Sequence, residues 1–172
     1  FNVFSGKEKT YQSWNGVPES MLKTGRTFNS AGTEKPGEPY DNEVDDYTQT
    51  HYQLFFNTAC KNWNFNTAAF LTRGKGFYEN YKGGEAFADY GLPDPVIGGT
   101  PIEETDLVRQ KWLDNYFYGQ IFGAQYKKDR NAITVGGGWT VYDGIHHGDI
   151  IWAQYGIDKD YRYYNVDALK SD

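Results

Sequence analysis

Hydrophobic and polar residues alternate along several stretches of this chain, and residues 133–141 show the pattern most clearly. Because successive side chains of a strand point to opposite faces, a period of two predicts a long β-strand with two different faces. One face is apolar and the other carries Gly and Thr: Ile133, Val135, Trp139 and Val141 lie opposite Thr134, Gly136, Gly138 and Thr140. Soluble sandwiches also alternate, but their strands usually have about 5–6 residues.

The same alternation predicts further strands, after a strand end at residues 1–4. The predicted strands cover residues 47–57, 63–81, 113–127, 132–153 and 161–166. Aromatic and aliphatic residues share one face of the first three, while Asn, Gln, Thr and Gly occupy most of the other. The apolar positions are Tyr52, Leu54, Phe56, Trp63, Phe65, Ala69, Leu71, Tyr118, Phe122, Ala124 and Tyr126. This pattern predicts an all-β, antiparallel, up-and-down meander.

Long and short connections alternate between these strands. The predicted loops over about residues 6–46 and 82–109 are long, whereas those over 58–62 and 128–131 are short. Pro18 in a first helical turn also predicts a short helix over residues 18–23. Outer-membrane barrels combine short periplasmic turns with longer extracellular loops. The alternation therefore predicts part of a transmembrane β-barrel, with a soluble β-sandwich as the main alternative.

Composition narrows the class of protein. The chain has 172 residues, of which 18% are aromatic, and glycine occurs 20 times against a single methionine. That profile favours a loop-rich β protein over a helical bundle. The net charge is −6 and the basic residues are dispersed, so no nucleic-acid partner is expected. A single cysteine, Cys60, excludes a disulfide scaffold within the chain.

Four segments carry a resemblance to a known family. Residues 4–18, 71–81, 106–115 and 136–144, the last leading to 150–153, resemble the barrel of a TonB-dependent outer-membrane receptor. The likeness covers nearly the whole chain in the same order, and it lies in strand and loop texture rather than in a catalytic signature. Residues 1–4 and 168–172 look like interrupted strands, so 1–172 is expected to be one internal barrel segment without plug or C-terminal strand.

The resemblance implies a bacterial outer-membrane protein with a closed barrel of about 22 strands around an N-terminal plug. This chain would supply about a quarter of the barrel wall. The implied function is active uptake of a scarce nutrient, namely a metal chelate, cobalamin or glycan, without a cofactor. The implied partners are the rest of the barrel and the plug, TonB through the parent protein, the lipid bilayer and the small nutrient ligand. A surface lipoprotein is a further candidate partner.

Five aromatic residues belong to the predicted outward loops or strand ends: Tyr11, Trp14, Tyr40, Tyr78 and Tyr81. Aromatic planes beside Asn, Asp or Arg stack on sugar rings or flat cofactors and orient them through hydrogen bonds. These residues are the candidate ligand-binding set. Loop packing, or an aromatic girdle at the membrane interface, explains each of them individually as well.

No metal site is predicted, although two clusters come nearest to one. The first consists of Asp143, His146, His147 and Asp149. In an extended strand the two adjacent histidines point to opposite faces, so polar groups near a loop tip are the simpler interpretation. The second is the acidic run over residues 41–46, where carboxylates would suit Ca²⁺ but lack the spacing of a calcium-binding loop.

Catalytic motifs are missing from the sequence. No serine lies in a Gly-x-Ser-x-Gly elbow, and Cys60 has no histidine near it in the chain. The chain is therefore predicted not to be an enzyme. Two alternatives to the transporter stay open, namely a soluble carbohydrate-binding β-sandwich and a fragment of a carbohydrate-active enzyme, because both use exposed aromatic rings and carboxylates.

Overall fold

A computed structural model describes residues 1–172, and a six-stranded antiparallel sheet dominates it. The strands are β1 (Asn2–Tyr11), β2 (Val44–Cys60), β3 (Trp63–Ala86), β4 (Val96–Ile97), β5 (Thr100–Pro101), β6 (Glu104–Lys128), β7 (Asn131–Ala153) and β8 (Tyr161–Ser171). Two short 3-10 helices cover Glu19–Met21 and Phe87–Tyr90. None of the helices is long and apolar enough to cross a membrane.

The strand order in the large sheet is β1-β2-β3-β6-β7-β8, and every neighbouring pair is antiparallel. The two-residue strands β4 and β5 form a separate hairpin inside the connection between β3 and β6. The chain is therefore an up-and-down meander, which confirms the predicted all-β antiparallel fold. Each of β1 and β8 pairs with one neighbouring strand only.

Strands in the structure are longer than the sequence predicts. The first predicted loop was wrong over residues 6–11, because β1 continues to Tyr11 by pairing with β2, with Gly6 opposite Gln49. The predicted loop over 82–109 shrinks to residues 87–103, because β3 and β6 extend beyond their apolar stretches. The predicted helix over 18–23 is a single 3-10 turn. Backbone pairing continues these strands where the side-chain alternation has already ended.

Both short connections are two-residue turns at the same end of the sheet. Residues 61–62 join β2 to β3, and residues 129–130 join β6 to β7. Lys61 and Asp129 have φ of 52° and 53°, the left-handed region that side chains other than glycine enter at a cost. The two turns fix the register of their strand pairs, since loop length and turn geometry set hairpin register.

The register aligns the apolar positions of all long strands on one face, as predicted. Trp63, Tyr126 and Ile133 share a row near the turns, and Leu71 shares a row with Tyr118 eight residues further along. We call this region the apolar band; Tyr52, Leu54, Phe56, Trp63, Phe65, Leu71, Tyr118, Phe122, Tyr126, Ile133, Val135, Trp139 and Val141 form it. Many of these side chains are exposed, Val135 at 67%. The opposite side is the polar face.

The buried residues lie at the other end of the sheet. Leu107 and Ile150 are fully buried there and pack with Tyr90, which belongs to the connection over residues 87–103. Leu107 shares its face with Asn115, so this connection folds onto the polar face. The sheet thus has a bare end with tight turns and a covered end with long loops.

Turn conformation at Lys61 gives a test of the register. We expect Lys61→Val to lower the free energy of unfolding by about 1 kcal/mol, because a β-branched side chain is strained at positive φ. Lys128→Val makes the same chemical change on the extended backbone of β6, where valine is favoured, and serves as the control. Urea unfolding followed by tryptophan fluorescence measures both. Equal midpoints for the two variants would contradict a strained turn.

Candidate functional site

A cavity of about 310 Å³ opens at the covered end of the sheet, between the loop over residues 12–43 and the ends of β3 and β6. We call it the loop-end cavity. It is lined by Gln12, Trp14, Asn15, Ser30, Ala31, Gly32, Glu34, Glu43, Tyr78, Asn80, Tyr81, Lys82 and Arg109. Two of its walls come from parts of the chain more than 60 residues apart. Folding of the sheet is therefore required to form it.

Unequal strand lengths explain where the cavity lies. β2 begins at Val44, whereas β3 continues past Tyr78 to Ala86, so the last residues of β3 have no partner from β2. The loop over residues 12–43 covers that gap. Gln12 fastens the start of the loop: its backbone N–H donates to the Glu43 carbonyl at 2.9 Å, and its side-chain oxygen accepts from Asn80 at 2.7 Å.

A buried carboxylate holds the middle of the loop. Glu79 is 3% exposed, and it accepts hydrogen bonds from Tyr40 at 2.5 Å, Asn42 at 2.6 Å and Gln110 at 2.6 Å. A buried carboxylate is tolerated when donors satisfy its oxygens, as they do here. Burial, together with the Glu79 carboxylate, raises the pKa of Tyr40 well above its usual value. The tyrosine therefore stays a hydrogen-bond donor at physiological pH.

Two further polar contacts form the floor of the cavity. The buried carboxylate of Glu43 accepts the backbone N–H of Tyr81 at 3.1 Å. The Tyr81 hydroxyl donates to Asp106 at 2.5 Å, and burial with this carboxylate raises the pKa of Tyr81 to about 12. Burial also raises the pKa of Glu43. Side-chain hydrogen bonds thus hold the floor where strand pairing has ended.

The open side of the cavity combines aromatic rings with amides. Trp14 and Tyr78 have ring centroids 5.3 Å apart and planes inclined by 60°. Trp14 is 65% exposed, so one of its faces is free for a ligand. Asn15 and Asn80 supply amide groups beside the rings. Such a wall can stack on a flat or ring-shaped molecule and hydrogen bond to its polar groups.

Charged residues at the cavity are paired. Lys82 lies 2.6 Å from Glu34, and Arg109 lies 3.8 Å from Glu85 while donating to the Tyr90 hydroxyl at 3.1 Å. The buried Nε of Arg109 has no hydrogen-bond partner. This nitrogen lies below the protein surface and does not reach the open side of the cavity, and the nearby carboxylates balance the positive charge of Lys82 and Arg109.

The structure divides the five predicted aromatic residues into two groups. Trp14, Tyr78 and Tyr81 line the loop-end cavity. Tyr11 and Tyr40 lie behind it, because the Tyr11 hydroxyl reaches the carbonyls of Ala31 and Tyr40 at 3.1 Å and Tyr40 binds Glu79. Contact of any of them with ligand stays a prediction.

Other lining residues were missed by reasoning from the sequence. Gln12, Asn15 and Arg109 stand in segments that carry no motif, and only folding brings them together. Asn80 had a usable signal, since it lies two residues from Tyr78 in the same strand and therefore on the same face.

The candidate metal residues are dispersed. His146 and His147 lie in β7 and point to opposite faces, as predicted; His146 contacts the Tyr142 hydroxyl at 2.9 Å, and His147 lies 3.2 Å from Asp149. Asp149 is also paired with Arg162 at 2.8 Å. No group of three or more His, Cys, Asp or Glu side chains is arranged to hold a metal ion. The acidic run is divided between the buried Glu43 and the ion pair of Asp46 with Lys7 at 3.0 Å.

Comparisons with known proteins add no assignment. Neither the protein-family models, nor the curated proteins, nor the solved structures that were searched contain a match to this chain. The functional conclusion therefore rests on the fold and on the geometry of the loop-end cavity.

The raised pKa of Glu43 predicts a pH dependence. A carboxyl whose pKa is raised by folding stabilises the native state below its unfolded value of 4.5, and this stabilisation is lost as pH rises through the folded value. We expect Glu43→Gln to flatten that decline, because glutamine keeps an acceptor for the Tyr81 N–H without a buried charge.

Thermal unfolding of the wild type and of Glu43→Gln between pH 4 and pH 7 measures this effect. Glu38→Gln, at an exposed position of the same loop, is the matched control and should follow the wild type. A decline in stability above pH 4.5 that persists unchanged in Glu43→Gln would assign it to another group.

Proposed function

We propose that this chain forms part of the barrel wall and outer loops of a TonB-dependent outer-membrane receptor, which takes up a scarce nutrient actively. The observation that carries the proposal is the apolar band. Its rows run across adjacent strands at one height, from Trp63 to Leu71 in β3, on the face that holds most of the large apolar side chains there. Nine residues match the length that a tilted strand needs to cross a bilayer, about 9–11 residues.

Both borders of the apolar band suit a membrane interface. The rings of Trp63 and Tyr126 pack together at the turn end, with centroids 5.0 Å apart and planes inclined by 49°. At the loop end the band gives way to Arg73, whose guanidinium lies 4.4 Å from the Tyr116 ring centroid and pairs with Asp114. Tyr and Trp prefer the level of lipid headgroups, and charges are costly below it. The change from rings to charges occurs within two residues.

A polar pair inside the apolar band is satisfied internally. The Gln120 amide donates to the Thr67 hydroxyl at 3.0 Å, and that hydroxyl donates to the Ile121 carbonyl at 2.9 Å. In hydrocarbon an unpaired polar group costs several kcal/mol, because no water can replace its partner. The pairing lets a glutamine occupy a lipid-facing position.

Amides, hydroxyls and glycines make up most of the polar face, as in a barrel lumen, and Phe55, Phe70, Phe117 and Ile121 are among its large apolar members. Asn64, Asn66 and Gln125 lie near the turns, and glycines such as Gly136 follow them. No second sheet packs on the apolar band. A soluble carbohydrate-binding sandwich would bury such a face between two sheets, so the exposed band favours the transporter.

The strands, the polar face and the long loops of the chain have different roles in this proposal. The strands form the wall, the polar face lines the lumen against the plug, and the long loops form the outer vestibule. The loop-end cavity captures the nutrient through Trp14, Tyr78 and the amides beside them. Transport itself belongs to the complete receptor, which receives energy through TonB.

Electrophoretic mobility with and without boiling in detergent tests the barrel, beside the intact mass of the purified protein. We expect a mass several-fold above 19.7 kDa, detergent dependence and a mobility that changes on heating. A soluble, monodisperse protein near 19.7 kDa without detergent would favour the carbohydrate-binding module instead.

Charge substitutions test the orientation of the wall. Trp139→Arg places a cation on the lipid side and should lower the free energy of unfolding by about 2–4 kcal/mol in the assembled barrel. Thr140→Arg, the next residue on the polar face, is the control and should cost much less. Unfolding of both variants by urea from lipid vesicles measures the difference. A larger loss for Thr140→Arg would show that the faces are inverted.

Replacement of Trp14 tests the cavity. We expect Trp14→Ala to weaken ligand binding by about tenfold, as expected for loss of one stacking ring. Tyr155→Ala removes an exposed ring elsewhere and should leave binding unchanged. Isothermal titration of the complete receptor with a ferric catecholate chelate, cobalamin and maltoheptaose identifies the ligand class. Equal affinities of wild type and Trp14→Ala for the ligand that binds would remove Trp14 from the site.

A further inference from the structure

We propose that the outward side of β1, β2 and β3 binds the phosphate of a membrane lipid headgroup, directly above the apolar band. The inference rests on the proposed function, because it requires the apolar band to lie in a bilayer. It concerns a second site, on the lipid side of the wall, whereas the loop-end cavity holds the nutrient.

Strand register assembles this site from three neighbouring rows, namely Ser5 with Thr50 and Arg73, Lys7 with Thr48 and Lys75, and Lys9 with Asp46. Lys7, Thr48 and Lys75 are opposite one another on adjacent strands and share the face of the apolar band. Adjacent strands are about 4.8 Å apart, so the two lysines flank Thr48 with roughly 10 Å between their backbones. The row beneath is hydroxyl-rich, with Ser5 bonded to Thr50 at 2.7 Å. We call these residues, together with Lys9 and Arg73, the cationic patch.

The cationic patch has an excess of positive charge on a chain that is acidic overall. It contains four cations, and two carboxylates contact them, Asp46 at 3.0 Å from Lys7 and Asp114 at 3.3 Å from Lys75, so four minus two leaves +2. On β7 and β8 the corresponding rows hold Asp143 and Asp167 instead. The excess is therefore confined to one side of the wall.

Exposure leaves the two lysines of the middle row accessible. The side chains of Lys7 and Lys75 are 63% and 57% exposed, while the carboxylates that they contact are 21% and 27% exposed. Exposed ion pairs are weak, so an arriving phosphate can recruit both ammonium groups at little cost. Arg73 is already paired with Asp114 and lies over the Tyr116 ring. It therefore adds positive electrostatic potential to the patch but offers no free hydrogen-bond donor.

The vertical order of groups favours a lipid over a free ion. Val3, Tyr52 and Leu71 form the uppermost apolar row beside this site, followed by the hydroxyls of Ser5 and Thr50 with Arg73 at their side, and then by the ammonium groups of Lys7 and Lys75. An anionic lipid presents the same sequence from acyl chain to backbone to phosphate. Each Lys or Arg near a membrane surface contributes about 1 kcal/mol of attraction to anionic lipid, or about fivefold in affinity.

Reconstitution of the complete receptor in phosphatidylcholine vesicles tests the proposal. Spin-labelled phosphatidylglycerol and spin-labelled phosphatidylcholine are compared as probes, and electron paramagnetic resonance measures the relative association constant of each. We expect the anionic lipid to be preferred by the wild type. Lys7→Ala/Lys75→Ala should reduce that preference by fivefold or more, and Lys7→Arg/Lys75→Arg should retain it.

Lys23→Ala/Lys159→Ala removes the same charge from two exposed loop positions and should leave the preference unchanged. An equal preference for both lipids in the wild type, or an unaltered preference in Lys7→Ala/Lys75→Ala, would overturn the headgroup site. Displacement of the labelled lipid by millimolar inorganic phosphate would also overturn it, because the patch would then bind free phosphate. Failure of the protein to insert into any vesicle would instead refute the proposed function.

Discussion

The hydrogen-bond register between neighbouring strands is the constraint on which the remaining features depend. Side chains alternate with a period of two, so a slip of one residue between β3 and β6 would move Phe65 and Leu71 to the polar face. The apolar band, the polar face and the cationic patch are all built from rows across this ladder. Two-residue turns at Lys61 and Asp129 hold the register at one end.

At the other end, order comes from polar contacts instead of strand pairing. β3 and β6 have 24 and 25 residues against 17 in β2, which leaves backbone uncovered. The loop over residues 12–43 is fastened there through buried Glu79 and Glu43 rather than through a large apolar core. The one cluster of buried hydrophobic side chains is small, with Tyr90, Leu107 and Ile150 as its members. Hydrogen bonds with fixed geometry thus specify the structure of the covered end.

The sequence predicts the wall better than the site, for physical reasons. Alternation of apolar and polar residues reports a face directly, so the sides of Trp139 and Phe65 were predicted correctly. The second half of β1 was not predicted, because Lys7, Glu8 and Lys9 show no such alternation, although their backbones pair with β2. The loop-end cavity was not predicted, because it forms between segments that are distant in the sequence. Only aromatic residues such as Trp14 and Tyr78 indicated that ligand-binding side chains could lie there.

Three tyrosine hydroxyls, those of Tyr40, Tyr81 and Tyr90, donate to carboxylates at the covered end. None of these bonds uses the residues at the mouth of the cavity, such as Trp14. Within the loop over residues 12–43, Tyr40 attaches the loop to β3, while the exposed Trp14 ring takes no part in that attachment. Such a loop is evolvable, because residues at the mouth of the cavity can be substituted while the contacts that attach the loop to the sheet are inherited intact.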